Sequence, residues 1–123
     1  MSNKWTAINS FWNSFSMPAY DENTVPDDAV MPYITYEAAT GGMDFKTPLN
    51  ANIYYRTTSW QAISDKAEEI QRYISGGVGI PYDGGRLWIT ERTPFAQRMA
   101  ESMDSSEAMS VRRILIQIEA EFQ

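Results

Sequence analysis

The stretch Val111–Phe122, VRRILIQIEAEF, constrains the fold more than any other part of the chain. Ile114, Ile116, Ile118, Ala120 and Phe122 alternate with Leu115, Gln117, Glu119 and Glu121. A period of two puts the first set on one side of an extended strand and the second set on the other. Such a strand needs a sheet with one covered face, and its length predicts an interior position in that sheet.

Two amphipathic helices are available to cover that face. Over residues 3–15, Trp5, Ile8, Phe11, Trp12 and Phe15 fall at helical spacing, with Asn3 placed to cap the start and Pro18 to end the element. The clearer helix is 59–75. Ser59 is its expected N-cap, Trp60, Ile63, Ala67, Ile70 and Ile74 form its apolar stripe, and Gly76 supplies a left-handed end. Further strands are expected at 17–20, 33–38, 47–56, 78–82 and 86–90, with a tight turn at Asp83-Gly84-Gly85. After Thr90 the chain is polar and methionine-bearing. Pro94 is expected to open one or two helical turns through Met99, and 102–109 to be mobile. The predicted fold class is α+β: one antiparallel β-sheet with two amphipathic helices packed on one face, in a single domain over residues 1–123.

Composition narrows the chemistry. The chain has no cysteine and no histidine, so disulfides, thiolate catalysis, a Ser-His-Asp triad and the usual zinc ligand sets are excluded. A net charge of −6 and the lack of a basic stripe beyond Arg112-Arg113 argue against sequence-specific nucleic-acid binding. No apolar run approaches the ~20 residues that span a bilayer, and MSNKWTAINSFW lacks the apolar stretch of a signal peptide, so a cytoplasmic location is expected.

The glycine-rich stretch GGVGIPYDGG, residues 76–85, invites a phosphate-loop reading. A phosphate cradle needs its glycines before a helix, where amide groups point at the anion. Gly76 and Gly77 instead follow one, and no Gly-Lys-Ser/Thr ending is present. The acidic residues Asp21, Glu22, Asp27 and Asp28 lack the spacing of an EF-hand loop and read as a solvated loop. Glu119 and Glu121 share the outward face of the last strand, where charge discourages edge pairing. Lys46 and Lys66 read as solvated surface lysines. Accordingly, no catalytic residue, cofactor or metal is expected. The segment TPFAQRM is less ordinary: Phe95 is either a core plug or a partner contact, and Arg98 and Met99 suit an interface. Arg56 and Arg86, at strand ends, pair either with acidic residues of a neighbouring copy or within the chain.

Five blocks in order, VPDDAVMPYITYEA, YYRTTSWQAISDKAEEIQRYI, DGGRLWI, TPFAQRM and RRILIQIEAEF, resemble a family of small tail proteins of long-tailed phages and prophages of Gram-positive bacteria. Its members are often labelled minor capsid or minor tail protein and are similar to the tail terminator and tail-to-head joining group. The resemblance implies a non-enzymatic structural protein that forms a hexameric ring. The ring caps the tail tube and joins it to the head, in contact with the tail tube protein and head–tail connector proteins. For such a ring, the net charge of −6 and the lack of a basic stripe lead to the expectation that DNA passes through the lumen without being held. The implied location is the host cytoplasm during assembly, then the head-proximal end of the virion tail. Within such a ring, loops 40–46 and 93–109 are the expected protrusions. The candidate subunit-interface residues are Met43, Asp44, Phe45, Arg56, Arg86, Phe95, Gln97, Arg98 and Met99. Two other classes compete: a small-ligand or regulatory binding module with a closed apolar pocket between helices 3–15 and 59–75, and a metal-dependent hydrolase built on Glu119 and Glu121.

Overall fold

A computed structural model describes residues 3–99 and 110–123. The chain runs α1 (Lys4–Trp12), β1 (Ala19–Asp21), β2 (Tyr33–Tyr36), β3 (Lys46–Arg56), α2 (Gln61–Ile74), β4 (Val78–Tyr82), β5 (Gly85–Met99) and β6 (Val111–Phe122). All six strands join one sheet in the order β1-β2-β3-β6-β5-β4, which makes this an α+β fold. The expected mobile stretch 102–109, and the expected loop beyond residue 99, lie outside the described residues.

β6 is interior, as its length predicts. It pairs antiparallel with β3 from Lys46↔Glu121 to Arg56↔Val111, and with β5 on its other side. The alternation also holds. Leu49↔Ile118, Ala51↔Ile116 and Ile53↔Ile114 pair buried residue with buried residue, and Leu87↔Phe122 and Ile89↔Ala120 extend the same layer. Each such Ile or Leu contributes about 1.5–3 kcal/mol when fully buried. Slipping β6 by one residue would put its carboxylates into this layer.

The sheet is not wholly antiparallel. β1 runs parallel to β2, Ala19↔Ile34 through Asp21↔Tyr36. Residues 22–32 connect the two strands, long enough to bring the chain back to the end at which β1 began. A tight turn would have reversed it.

Helix α2 buries Ile63, Ala67, Ile70 and Ile74 in one stripe and packs on β3, β5 and β6. Its start differs from expectation by one residue. The Ser59 Oγ accepts from the Gln61 amide at 3.0 Å, but Trp60 occupies the cap position itself. Its end is as expected: Gly76 and Gly77 have φ of 80° and 102°, and a Cβ on Gly77 would overlap the Trp88 ring. Helix α1 packs on β1, β4 and β5. Its Asn3 cap is present, accepting from the Thr6 amide at 2.9 Å. It ends at Trp12, short of Phe15, because the Asn13 side chain takes over: Nδ2 donates to the Asn9 carbonyl at 2.9 Å and Oδ1 accepts from the Ala19 amide at 3.1 Å. Trp5, expected on the buried face, is 53% exposed at the first-turn rim, and Ala7 joins the buried set instead.

The largest departure is at Pro94. No helical turn forms there; β5 continues as strand through Met99. Between Glu91↔Ile118 and Ala96↔Ile116, residues 92–95 of β5 stand opposite Gln117 alone. Pro94, which has no amide hydrogen to give a ladder, sits inside this bulge. Gln117 Nε2 donates to the Pro94 carbonyl at 2.9 Å and ties the bulge to β6.

Candidate subunit interface

The register sorts the candidate residues into two groups toward opposite ends of the β3–β6 pair. Lys46↔Glu121 marks one end and Arg56↔Val111 the other. At about 3.4 Å per residue they stand roughly 35 Å apart.

Met43, Asp44, Phe45 and Arg86 lie at the first end. The Asp44 amide donates to the Phe122 carbonyl at 2.8 Å and holds its loop against the end of β6. Phe45 is thereby displayed with 72% of its surface exposed, and Met43 with 45%. Trp5 belongs to the same end: it lines an open cleft with Lys4, Tyr82 and Asp83, and the Tyr82 hydroxyl lies 4.0 Å from the Met43 sulfur. Arg86 has partners in its own chain. Its guanidinium lies 5.1 Å from the Trp88 ring centroid and donates to Gln123 Oε1 at 3.0 Å. The Gly79 position leaves room for its stem.

Arg56 lies at the second end, and Gln97, Arg98 and Met99 lie on the same half of the pair, level with Asn52, Ile53 and Tyr54 of β3. Two guanidiniums flank Trp60, Arg98 at 5.0 Å and Arg112 at 5.4 Å from the ring centroid. Cation–ring contacts of this kind are worth about 0.5–1 kcal/mol each at exposed sites. Arg112 also donates to the Thr58 carbonyl at 2.9 Å, which fixes the approach to α2. An open cleft of about 290 Å³ runs alongside, between Ser64, Ala67, Glu68 and Gln71 of α2 and Ala96–Arg98 of β5. Arg98 closes one end of it, with Nη2 3.4 Å from the Ser64 hydroxyl.

Phe95 belongs to neither group. It is 7% exposed within the core cluster, so the core-plug alternative describes it and it leaves the candidate surface. Trp5, Trp60 and Arg112 join that surface from the structure. Trp5 departs from its expected place on a buried helix face, whereas Trp60 keeps part of its ring packed against the core, as the apolar stripe predicts. Both lie at the start of their helices, Trp5 in the first turn of α1 and Trp60 at the cap of α2.

Other charged groups are placed differently from expectation. Glu119 and Glu121 cannot blunt an edge, because β6 is central. Glu119 lies 3.8 Å from Lys46 across the β3–β6 pair, and Glu121 accepts from Gln123 Nε2 at 2.7 Å. Among the described residues no group of three Asp or Glu could hold a metal ion. Lys46 is exposed as expected, but the Lys66 side chain is only 14% exposed and reaches the Phe15 carbonyl. The space between the helices is occupied by Tyr73, 6.2 Å from Phe11 and 5.3 Å from Phe15, and neither cleft described above lies there. Tyr55, half-buried on β3, has its phenol pKa raised above 10.0, first by burial and then by the carboxylates of Glu69 and Asp65. No helix among the described residues is long and apolar enough to cross a membrane. Compared with known family models and with curated proteins, the chain matches none.

Proposed function

We propose that this chain is a structural subunit of a phage or prophage tail, forming an oligomeric ring that caps the tail tube and joins tail to head. One observation carries the reading: two surfaces of unlike chemistry, the exposed apolar Met43–Phe45–Trp5 end and the half-buried Trp60 with its two arginines, stand toward opposite ends of the β3–β6 strand pair. A joining ring makes two kinds of contact, with its own copies and with a different protein, and a head-to-tail ring needs unlike patches on each subunit. The sequence resemblance to tail terminators supplies the identity of those partners: tail tube protein and head–tail connector proteins. The proposal includes a hexamer, both helices lying on the one buried face of the sheet, and no enzymatic turnover. The net charge of −6 suits a lumen through which DNA slides unheld.

Electron microscopy of particles assembled without this protein tests the reading. Overlong tails assign it to termination, and normal tails detached from heads assign it to joining. Normal joined particles would overturn the proposal. A purified protein that stays monomeric even with the tail tube subunit would count against it equally.

A further inference from the structure

The chain's net charge sits in one segment. Between Trp5 and Phe45 there are six carboxylates, Asp21, Glu22, Asp27, Asp28, Glu37 and Asp44, and not one Lys or Arg. The rest of the chain balances, with ten acidic and ten basic residues against totals of 16 and 10. None of those six carboxylates enters an ion pair among the described residues.

Four of the six lie at or beside the connection that leaves β1, one lateral edge of the sheet, with Asp27 and Asp28 exposed. The opposite lateral side carries Arg98 on β5. β4 pairs with β5 only as far as Val78↔Ile89, so beyond that pair β5 has β6 as its one strand neighbour among the described residues. From β1 to β5 is four strand spacings, about 19 Å along the sheet. Arg98 is exposed, enters no ion pair among the described residues, and lies with Arg112 against Trp60 beside the open cleft on α2.

We infer that the acidic β1–β2 connection of one copy docks on the Arg98–Trp60–Arg112 surface of a second copy. This rests on the ring reading above and names the contact that builds the ring. An acidic connection at the β1 edge and an arginine surface over β5 and β6 at the start of α2 are unlike patches on one subunit, and a head-to-tail contact between them is one that each added copy can repeat until the ring closes. Oriented charge of this kind sets register and speeds encounter.

Two charge-reversal variants test it, Asp27→Lys/Asp28→Lys and Arg98→Glu, all at exposed positions, with thermal melts confirming that each folds. Self-association is read by sedimentation and native mass spectrometry, with and without the tail tube subunit. Each variant alone should associate about tenfold or more weakly than the parent chain. Mixed, the two should assemble with one another in equal proportion, because each reversed edge then meets its complement. Rings that form undiminished from either variant alone, or a mixture that stays dispersed, would overturn this contact while leaving the ring reading intact. A parent chain that never associates, with or without tube subunits, would overturn both.

Discussion

The Lys66 ammonium donates to the Phe15 carbonyl at 2.8 Å, bridging residues 51 positions apart and fastening α2 to the turn that follows α1. The same ammonium meets Glu69 Oε1 at 2.9 Å. Lys66→Met keeps the stem and removes the charge. A hydrogen bond to a charged group is worth about 1.5–3 kcal/mol, and the methionine recovers part of that by burial. Chemical denaturation of the variant should therefore show a loss of about 1–2 kcal/mol.

Gly76 and Gly77 separate backbone conformation from packing. A Cβ at Gly76 meets open space, and one at Gly77 meets the Trp88 ring. Gly76→Ala carries only the left-handed cost of about 1–2 kcal/mol. Gly77→Ala adds overpacking, about 1 kcal/mol or more, as Trp88 gives way. Urea midpoints should rank parent, Gly76→Ala, Gly77→Ala, and Trp88 fluorescence should shift only in the last.

Phe45 and Phe95 test surface against core. Phe95→Ala empties the plug at the β5 bulge and should cost about 3–5 kcal/mol. Phe45→Ala should leave the melting curve within about 0.5 kcal/mol of the parent. Equal destabilisation by both would contradict the exposure of Phe45.

Tyr55 gives a pH signature. Its raised pKa means the folded protein keeps a proton that the unfolded chain gives up. The resulting stability is complete below the unfolded value near 10 and is lost as pH rises through the higher folded value. Alkaline melts of Tyr55→Phe and the parent chain should diverge as pH rises from the unfolded value toward the folded one and stay apart above it, with the variant losing less.

Local periodicity explains what was legible. The alternation over Val111–Phe122 and the stripe Ile63, Ala67, Ile70, Ile74 both register a covered face within a few residues, and both elements stand where the pattern put them. The carbonyl partner of Lys66 is remote in sequence, so nothing local sets it apart from a solvated lysine. A bulged strand with polar neighbours shows no alternation, so nothing local sets Pro94 apart from a helix opener. The parallel β1 depends on a connection whose path has no local code. For the candidate surface, residue type singled out Phe45 and Arg98 one at a time. Their placement toward opposite ends follows only from the β3–β6–β5 register, and Trp60 acquires its two arginines from strands that follow it by many residues.

The bulge at residues 92–95 divides β5 into two lengths that answer to different neighbours. Leu87–Ile89, on the near side, is held between β4 and β6, and Ala96–Met99, on the far side, by β6 alone among the described residues. The strand pair is therefore expected to open in two steps instead of one. Amide hydrogens of the distal length should exchange with solvent through a local fluctuation, while those of the proximal length wait for global unfolding.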